Sequence, residues 1–174
     1  MDAWEPLDRA SEDATWDRLE SSFGFRPSTT VFPVVTEPTE SVTYDVSGAY
    51  GDEDRYRSLT LDLCERLVEA MRRCVCVDGE IHVLDWQHPS YRFWPHRRFE
   101  FTSEDDWPIP PLPNGDYYLF LDPEFRFGVI GHPWEQSMCV FGEALVRAFE
   151  ERPPQLFGTV LRKAGRRPGS DAGA

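Results

Sequence analysis

The chain is nearly devoid of lysine: Lys163 stands alone beside seventeen arginines. Schiff-base chemistry and lysine-bearing phosphate loops are thereby close to excluded. No apolar run approaches the roughly eighteen residues of a membrane-spanning helix. No glycine-rich phosphate loop is present, since the glycines stand singly as turn markers. The serines lack a Gly-x-Ser-x-Gly setting, and Ser137 precedes a strand rather than sitting on a nucleophile elbow. Cysteine is sparse. Cys74 and Cys76 lie one residue apart with no matching second pair among the four cysteines, which is poor zinc spacing. We therefore expect buried thiols, no metal site and no cofactor.

What is present is acid. Against 18 basic side chains stand 31 carboxylates, a net charge of −13. The excess lies in residues 1–154, whereas 155–174 is basic. Such a balance repels nucleic-acid phosphates and suits either a basic partner or plain solubility. The acidic start MDAWEPLDRASED is unlike a signal peptide, so we expect a cytoplasmic location and no membrane partner. Nothing in the sequence signals an oligomeric state.

With 40% hydrophobic and 14% aromatic residues in 174, the chain can bury a core. We expect one domain over 1–163 and a disordered tail over 164–174. Helical spacing predicts helices over about 11–22, stopped by Gly24, and about 54–74, where Tyr56, Leu63, Leu67, Met71 and Cys74 recur. A third is expected over about 143–151, stopped by Pro153-Pro154, and a short fourth around Leu156–Leu161. Strands are expected at 41–46, 80–86, 91–95, 117–121, 125–130 and 138–141, with turns at Asp78-Gly79, Asn114-Gly115 and Asp122–Glu124. This order implies an α+β fold: an antiparallel sheet of about five to six strands with helices packed on one face.

Two loops carry the candidate site. One is the tip Trp86-Gln87-His88 with Tyr91; the other is Gly131-His132-Pro133-Trp134-Glu135. Both leave strands and are flanked by aromatics, as small concave sites commonly are. If the loops meet, His132 could act as a general base with Glu135 as its orienter. The structural alternative makes the second loop a rigid turn, with Trp134 filling core and Glu135 accepting backbone N–H bonds. A hairpin centred near Pro89 would set Trp86 opposite Arg92, Leu84 opposite Trp94, and His82 opposite His96.

Several segments together resemble a bacterial family known only as a domain of unknown function, number 2716. They include Leu84-Asp85-Trp86-Gln87-His88, Tyr91 and Phe93 with Pro95-His96, Trp107 with Ile109-Pro110, and Pro113-Asn114-Gly115-Asp116-Tyr117-Tyr118. Gly131–Glu135, Cys139–Glu143 and Ser41–Asp45 complete the set. The resemblance spans nearly the whole chain except the tail. It implies a stand-alone bacterial domain and carries no activity or catalytic residues.

Together these readings favour a non-enzymatic acidic interaction domain for a basic protein, in its sharpest form an immunity-type protein. The alternatives are a small-ligand binder, or a small hydrolase or isomerase using the His132/Glu135 and His88 loops. The residues to watch are Trp86, Gln87, His88, Tyr91, His96, His132, Trp134 and Glu135.

Overall fold

Asp8 and Asp52 open the two N-terminal helices by the same device. Each side chain accepts the backbone N–H three residues on, at 3.0 Å from Ser11 and 2.7 Å from Arg55. A computed structural model describes residues 2–168. Helix α1 covers Arg9–Phe23 and ends at Gly24, whose φ of 62° lets its N–H close on the Glu20 carbonyl. Helix α2 covers Glu53–Cys74, with Glu53 and Asp54 in its first turn and Arg72 and Arg73 in its last, both suited to the helix dipole. Helix α3 is Glu143–Glu151, with the boundaries the sequence implies.

The strands are β1 Trp4–Pro6, β2 Ser41–Asp45, β3 Ile81–Asp85, β4 Tyr91–Phe93, β5 Tyr118–Leu121, β6 Gly128–His132, β7 Ser137–Phe141 and β8 Val160–Lys163. They form one sheet in the order β1-β4-β3-β5-β6-β7-β2-β8, and every pair is antiparallel. The fold is therefore α+β on an antiparallel sheet, as expected, but with eight strands rather than five to six. The two extra strands are the edges. β1 is three residues long and contains Pro6, and β8 replaces the short helix expected near Leu161. Short edges that carry proline or charge present little backbone to a second sheet.

The helices also lie on both faces rather than one. On the first face, Leu63, Leu67 and Met71 of α2 and Leu145 and Phe149 of α3 pack on Val83, Phe120, Val129 and Val140. On the second face, Leu19 of α1 joins Phe25, Val34 and Val35 over Leu84, Leu119, Ile130 and Cys139. The central strands require this double cover. All of Tyr118–Leu121, Gly128–His132 and Ser137–Phe141 is buried, on both sides of each strand.

Two local expectations shift. The strand expected at 125–130 starts at Gly128. Asp122 caps the preceding turn, accepting the N–H groups of Glu124 at 3.1 Å and Arg126 at 3.2 Å, and Phe125 takes a φ of 55°. The β3–β4 hairpin pairs His82 with Arg92 and Val83 with Tyr91, four positions from the register expected about Pro89. Asp85 turns the chain out of that ladder by accepting the Gln87 N–H at 3.2 Å, and β3 continues against β5 instead. His82 and His96 are therefore not paired. His82 Nδ1 lies 2.9 Å from Thr15 Oγ1 of α1.

The chain past β8 turns back, with Lys163 and Arg166 exchanging backbone hydrogen bonds and Ala164 donating to the Ser41 carbonyl. Residues 169–174 of the expected tail lie outside the described residues. No helix among the described residues is long and apolar enough to cross a membrane.

Candidate functional site

Antiparallel pairing brings the end of β3, the start of β5 and the end of β6 to one rim of the sheet. Tyr117 sits at the centre of this rim, fully buried, immediately before β5. Its hydroxyl donates to the Ser28 carbonyl at 2.7 Å and accepts the Ser28 N–H at 3.0 Å, which pins the connector after α1 across the sheet. Four rings surround it, with centroids at 4.9 Å for His132, 5.2 Å for Trp134, 5.4 Å for Phe25 and 5.7 Å for Trp86. The two loops singled out in the sequence thus meet, through Tyr117. Trp86 and Trp134 remain 40% and 39% exposed on either side of it, and Phe32 is 40% exposed over His132. Beside Trp86 opens a groove of about 580 Å³ lined by Trp16, Asp17, Glu20, Phe25, Arg26 and Pro27.

His132 is not at the surface of this site. It is buried, and its Nδ1 accepts the Glu135 N–H at 3.1 Å, which places the ring proton on Nε2. That Nε2 has no hydrogen-bond partner among the described residues and lies among aromatic rings, with the Phe32 ring perpendicular at 4.7 Å. Burial, with the Arg162 charge adding to it against Glu135, pushes the His132 pKa down to about 4.

The Glu135 carboxylate points elsewhere. Arg162 of β8 meets its two oxygens at 2.6 and 2.7 Å, and Ser137 Oγ donates to it at 2.6 Å. Arg162 Nε also reaches Glu37 at 2.9 Å, whose same oxygen accepts the Thr43 hydroxyl at 2.8 Å. Burial raises the Glu135 pKa, but the bonds from Arg162 and Ser137 outweigh it and hold the carboxyl below its usual range. A base–orienter pair of His132 and Glu135 is accordingly not assembled. The cavity beside them, under Pro33 to Val35, is about 10 Å³, room for a water at most. The structural alternative for this loop comes nearer, in modified form: the Glu135 side chain anchors a guanidinium and a hydroxyl rather than backbone N–H groups, and Trp134 is half exposed rather than core.

On the other flank, His88 Nδ1 lies 3.1 Å from Asp85 Oδ1 and 3.9 Å from Asp116 Oδ2. Both aspartates are buried, at 7% and 5% exposure, while the imidazole stands in solvent. The Asp85 hydrogen bond and charge raise the His88 pKa. Burial, and then the neighbouring Asp85 charge, raise that of Asp116, against the opposing hydrogen bond from the Tyr117 N–H. Neither aspartate was singled out in the sequence, although each stands inside a family-like segment, Leu84–His88 and Pro113–Tyr118. Gln87 is exposed and joins the site through its N–H on Asp85. Tyr91 and His96 lie apart from it. Tyr91 packs edge-on against Trp4 at 6.3 Å, and His96 Nε2 lies 3.1 Å from the Val75 carbonyl at the end of α2.

The molecule is thus an α+β domain with an aromatic and acidic rim at one end of its sheet. Its sequence matches, over residues 6–146, the model of the family described as protein of unknown function (DUF2716), and the chain belongs to that family. It is similar to the uncharacterized protein YxiI of Bacillus subtilis (strain 168), at 29% identity over 157 residues, 88% of this chain and 96% of that protein. No solved structure matches it.

Proposed function

We propose that this protein is a non-enzymatic, cytoplasmic binding domain that takes a basic segment of a partner protein across the Trp86–Tyr117–Trp134 rim. The observation that carries this reading is the pair of half-exposed tryptophans held in fixed positions by one buried tyrosine. Rigid indoles present large contact area at little entropic loss and attract guanidinium and ammonium groups by cation–π contact. Asp17 and Glu20 line the adjoining groove, where they outnumber its one base, Arg26, and the net charge of −13 would steer a cationic partner towards the protein. A basic toxin is the sharpest form such a partner could take. The enzyme reading loses its leading pair, because Glu135 is held by Arg162 and His132 is buried.

Tryptophan fluorescence during titration with an arginine-rich peptide tests the proposal. Saturable binding that weakens from low to moderate salt and is lost in Trp86→Ala or Trp134→Ala is the expected result. Binding indifferent to both substitutions would refute it. A second reading, a small-ligand binder, is favoured by the size of the groove beside Trp86. It would show as a bound compound released on denaturing protein purified from its own cells.

A further inference from the structure

Four carboxylates in the described chain are buried: Glu37, Asp85, Asp116 and Asp122. Two of them have an arginine. Arg162 serves Glu37 at 2.9 Å, and Arg126 serves Asp122 at 2.6 Å. Asp85 and Asp116 have neither arginine nor lysine within ion-pair reach among the described residues; the exposed His88 is their sole cationic neighbour. Their hydrogen bonds account for one oxygen each. Asp85 Oδ1 serves the Gln87 N–H and His88, and Asp116 Oδ1 accepts the Tyr117 N–H at 2.7 Å. No described N–H group donates to Asp116 Oδ2, which lies 3.9 Å from His88 Nδ1 on a buried side chain whose carboxyl is within hydrogen-bond reach of Asp85. One ligand atom from each of Asp85, His88 and Asp116 falls within 4.8 Å of the others. Two desolvated carboxylates so placed need either a shared proton or a cation between them.

We propose that Asp85, His88 and Asp116 bind a divalent cation, through one oxygen of each aspartate and Nδ1 of His88. Two carboxylate oxygens and one imidazole suit manganese or zinc. Calcium would need six to eight oxygen ligands, more than this site offers. Strand pairing supplies the rigidity, because Asp85 lies opposite Tyr118 in the β3–β5 ladder and so brings the two aspartates together. Coordination positions on the His88 side stay open to water or to an oxygen-bearing ligand. This site flanks the Trp86–Tyr117 rim, but the assignment rests on its own ligand atoms and stands without the peptide-binding reading.

Titration of the full-length protein with Mn²⁺, following the free-ion signal by electron paramagnetic resonance, tests the assignment. One equivalent bound is expected. His88→Ala should weaken binding by about tenfold or more, a scale seen even when only the outer partners of ligands are changed. Asp116→Asn, which keeps an acceptor for the Tyr117 N–H, should abolish it. Circular dichroism matching the parent protein checks that both variants fold; the His88 side chain is mostly exposed, so its removal leaves the core untouched. Absence of saturable binding, or binding retained in both variants, overturns the proposal. So does a protonated-carboxyl infrared band at neutral pH that Mn²⁺ leaves unchanged and Asp116→Asn removes, since the two acids would then share a proton instead.

Discussion

Arg162 meets both carboxylate oxygens of Glu135, at 2.6 and 2.7 Å, and so takes that carboxylate away from His132 three residues earlier. A short segment that reads as base and acid in sequence becomes an anchor for the last strand. Its chemistry goes into holding the sheet together, and the exposed part of the same loop, Trp134, is left facing solvent.

Arg162→Ala would leave the buried Glu37 and the largely covered Glu135, its side chain 11% exposed, without their guanidinium counter-charge. A loss of about 3–5 kcal/mol is expected for a broken buried ion pair. Arg162→Lys should recover little of it, because one ammonium cannot bridge two carboxylates as a planar guanidinium does. Urea unfolding at neutral pH measures both. A loss below about 1 kcal/mol for the alanine variant would place this network with ordinary surface pairs.

The buried His132 sets an acid limit on stability. Its pKa is about 4 when folded against a reference of 6.5, so the unfolded chain takes up the proton first as pH falls. The contribution of the neutral imidazole is complete above about pH 6.5 and shrinks between there and about pH 4, at about 1.4 kcal/mol per pH unit. Between about pH 6.5 and 5 the parent protein should lose about 2 kcal/mol more than His132→Asn, whose amide can still accept the Glu135 N–H. Parallel curves for the two proteins would show that His132 titrates normally in the fold.

Trp86 and Trp134 are each about two-fifths exposed, so truncation to alanine should cost far less than the about 3–5 kcal/mol typical of a core aromatic. A thermal midpoint within a few degrees of the parent, with peptide binding lost, is expected for each. Tyr117→Ala should instead unfold or severely destabilise the protein, because that ring is fully buried and ties Ser28 to the rim. If Trp134→Ala were as damaging as Tyr117→Ala, the loop would be core after all.

Gly142 precedes α3 with a φ of 88°, and a β-carbon there would lie 2.4 Å from the Arg126 carbonyl oxygen and 2.5 Å from Phe127 Cβ. Both the backbone conformation and the contact oppose a side chain. Gly142→Ala should cost about 3 kcal/mol or more and be visible as reduced soluble yield or a lowered unfolding midpoint. A neutral result would mean that the β7–α3 turn shifts freely.

The helices were legible where the apolar period was strong. Leu63, Leu67 and Met71 fix α2, and α3 falls between Gly142 and Arg152 as its sequence suggests. The edge strands were not. Three residues with a proline, and four residues of which Arg162 points into the protein, give no period to read. Register failed for a related reason: the β3–β4 pairing depends on where Asp85 turns the chain, a hydrogen bond rather than a pattern. At the candidate site, aromatic loops at strand ends pointed to Trp86, His88 and Trp134, which the fold brings to one rim. Tyr117 read as one more strand residue, and its central place appears once Phe25, Trp86, His132 and Trp134 converge on it. Asp85 and Asp116 each lie in a family-like segment, but nothing in the sequence pairs them, since the two are neighbours only through the β3–β5 ladder.

The place of Arg162 in the chain carries a last consequence. The family match ends at residue 146, yet the guanidinium that neutralises Glu37 and Glu135 arrives sixteen positions later, counting from 146 to 162. During synthesis, all seven other described strands leave the ribosome before it. Until the final strand emerges, the nascent sheet holds an open edge along β2 and two carboxylates that resist burial. Emergence of β8, rather than assembly of the central strands, is thus the event that covers β2 and neutralises the two carboxylates.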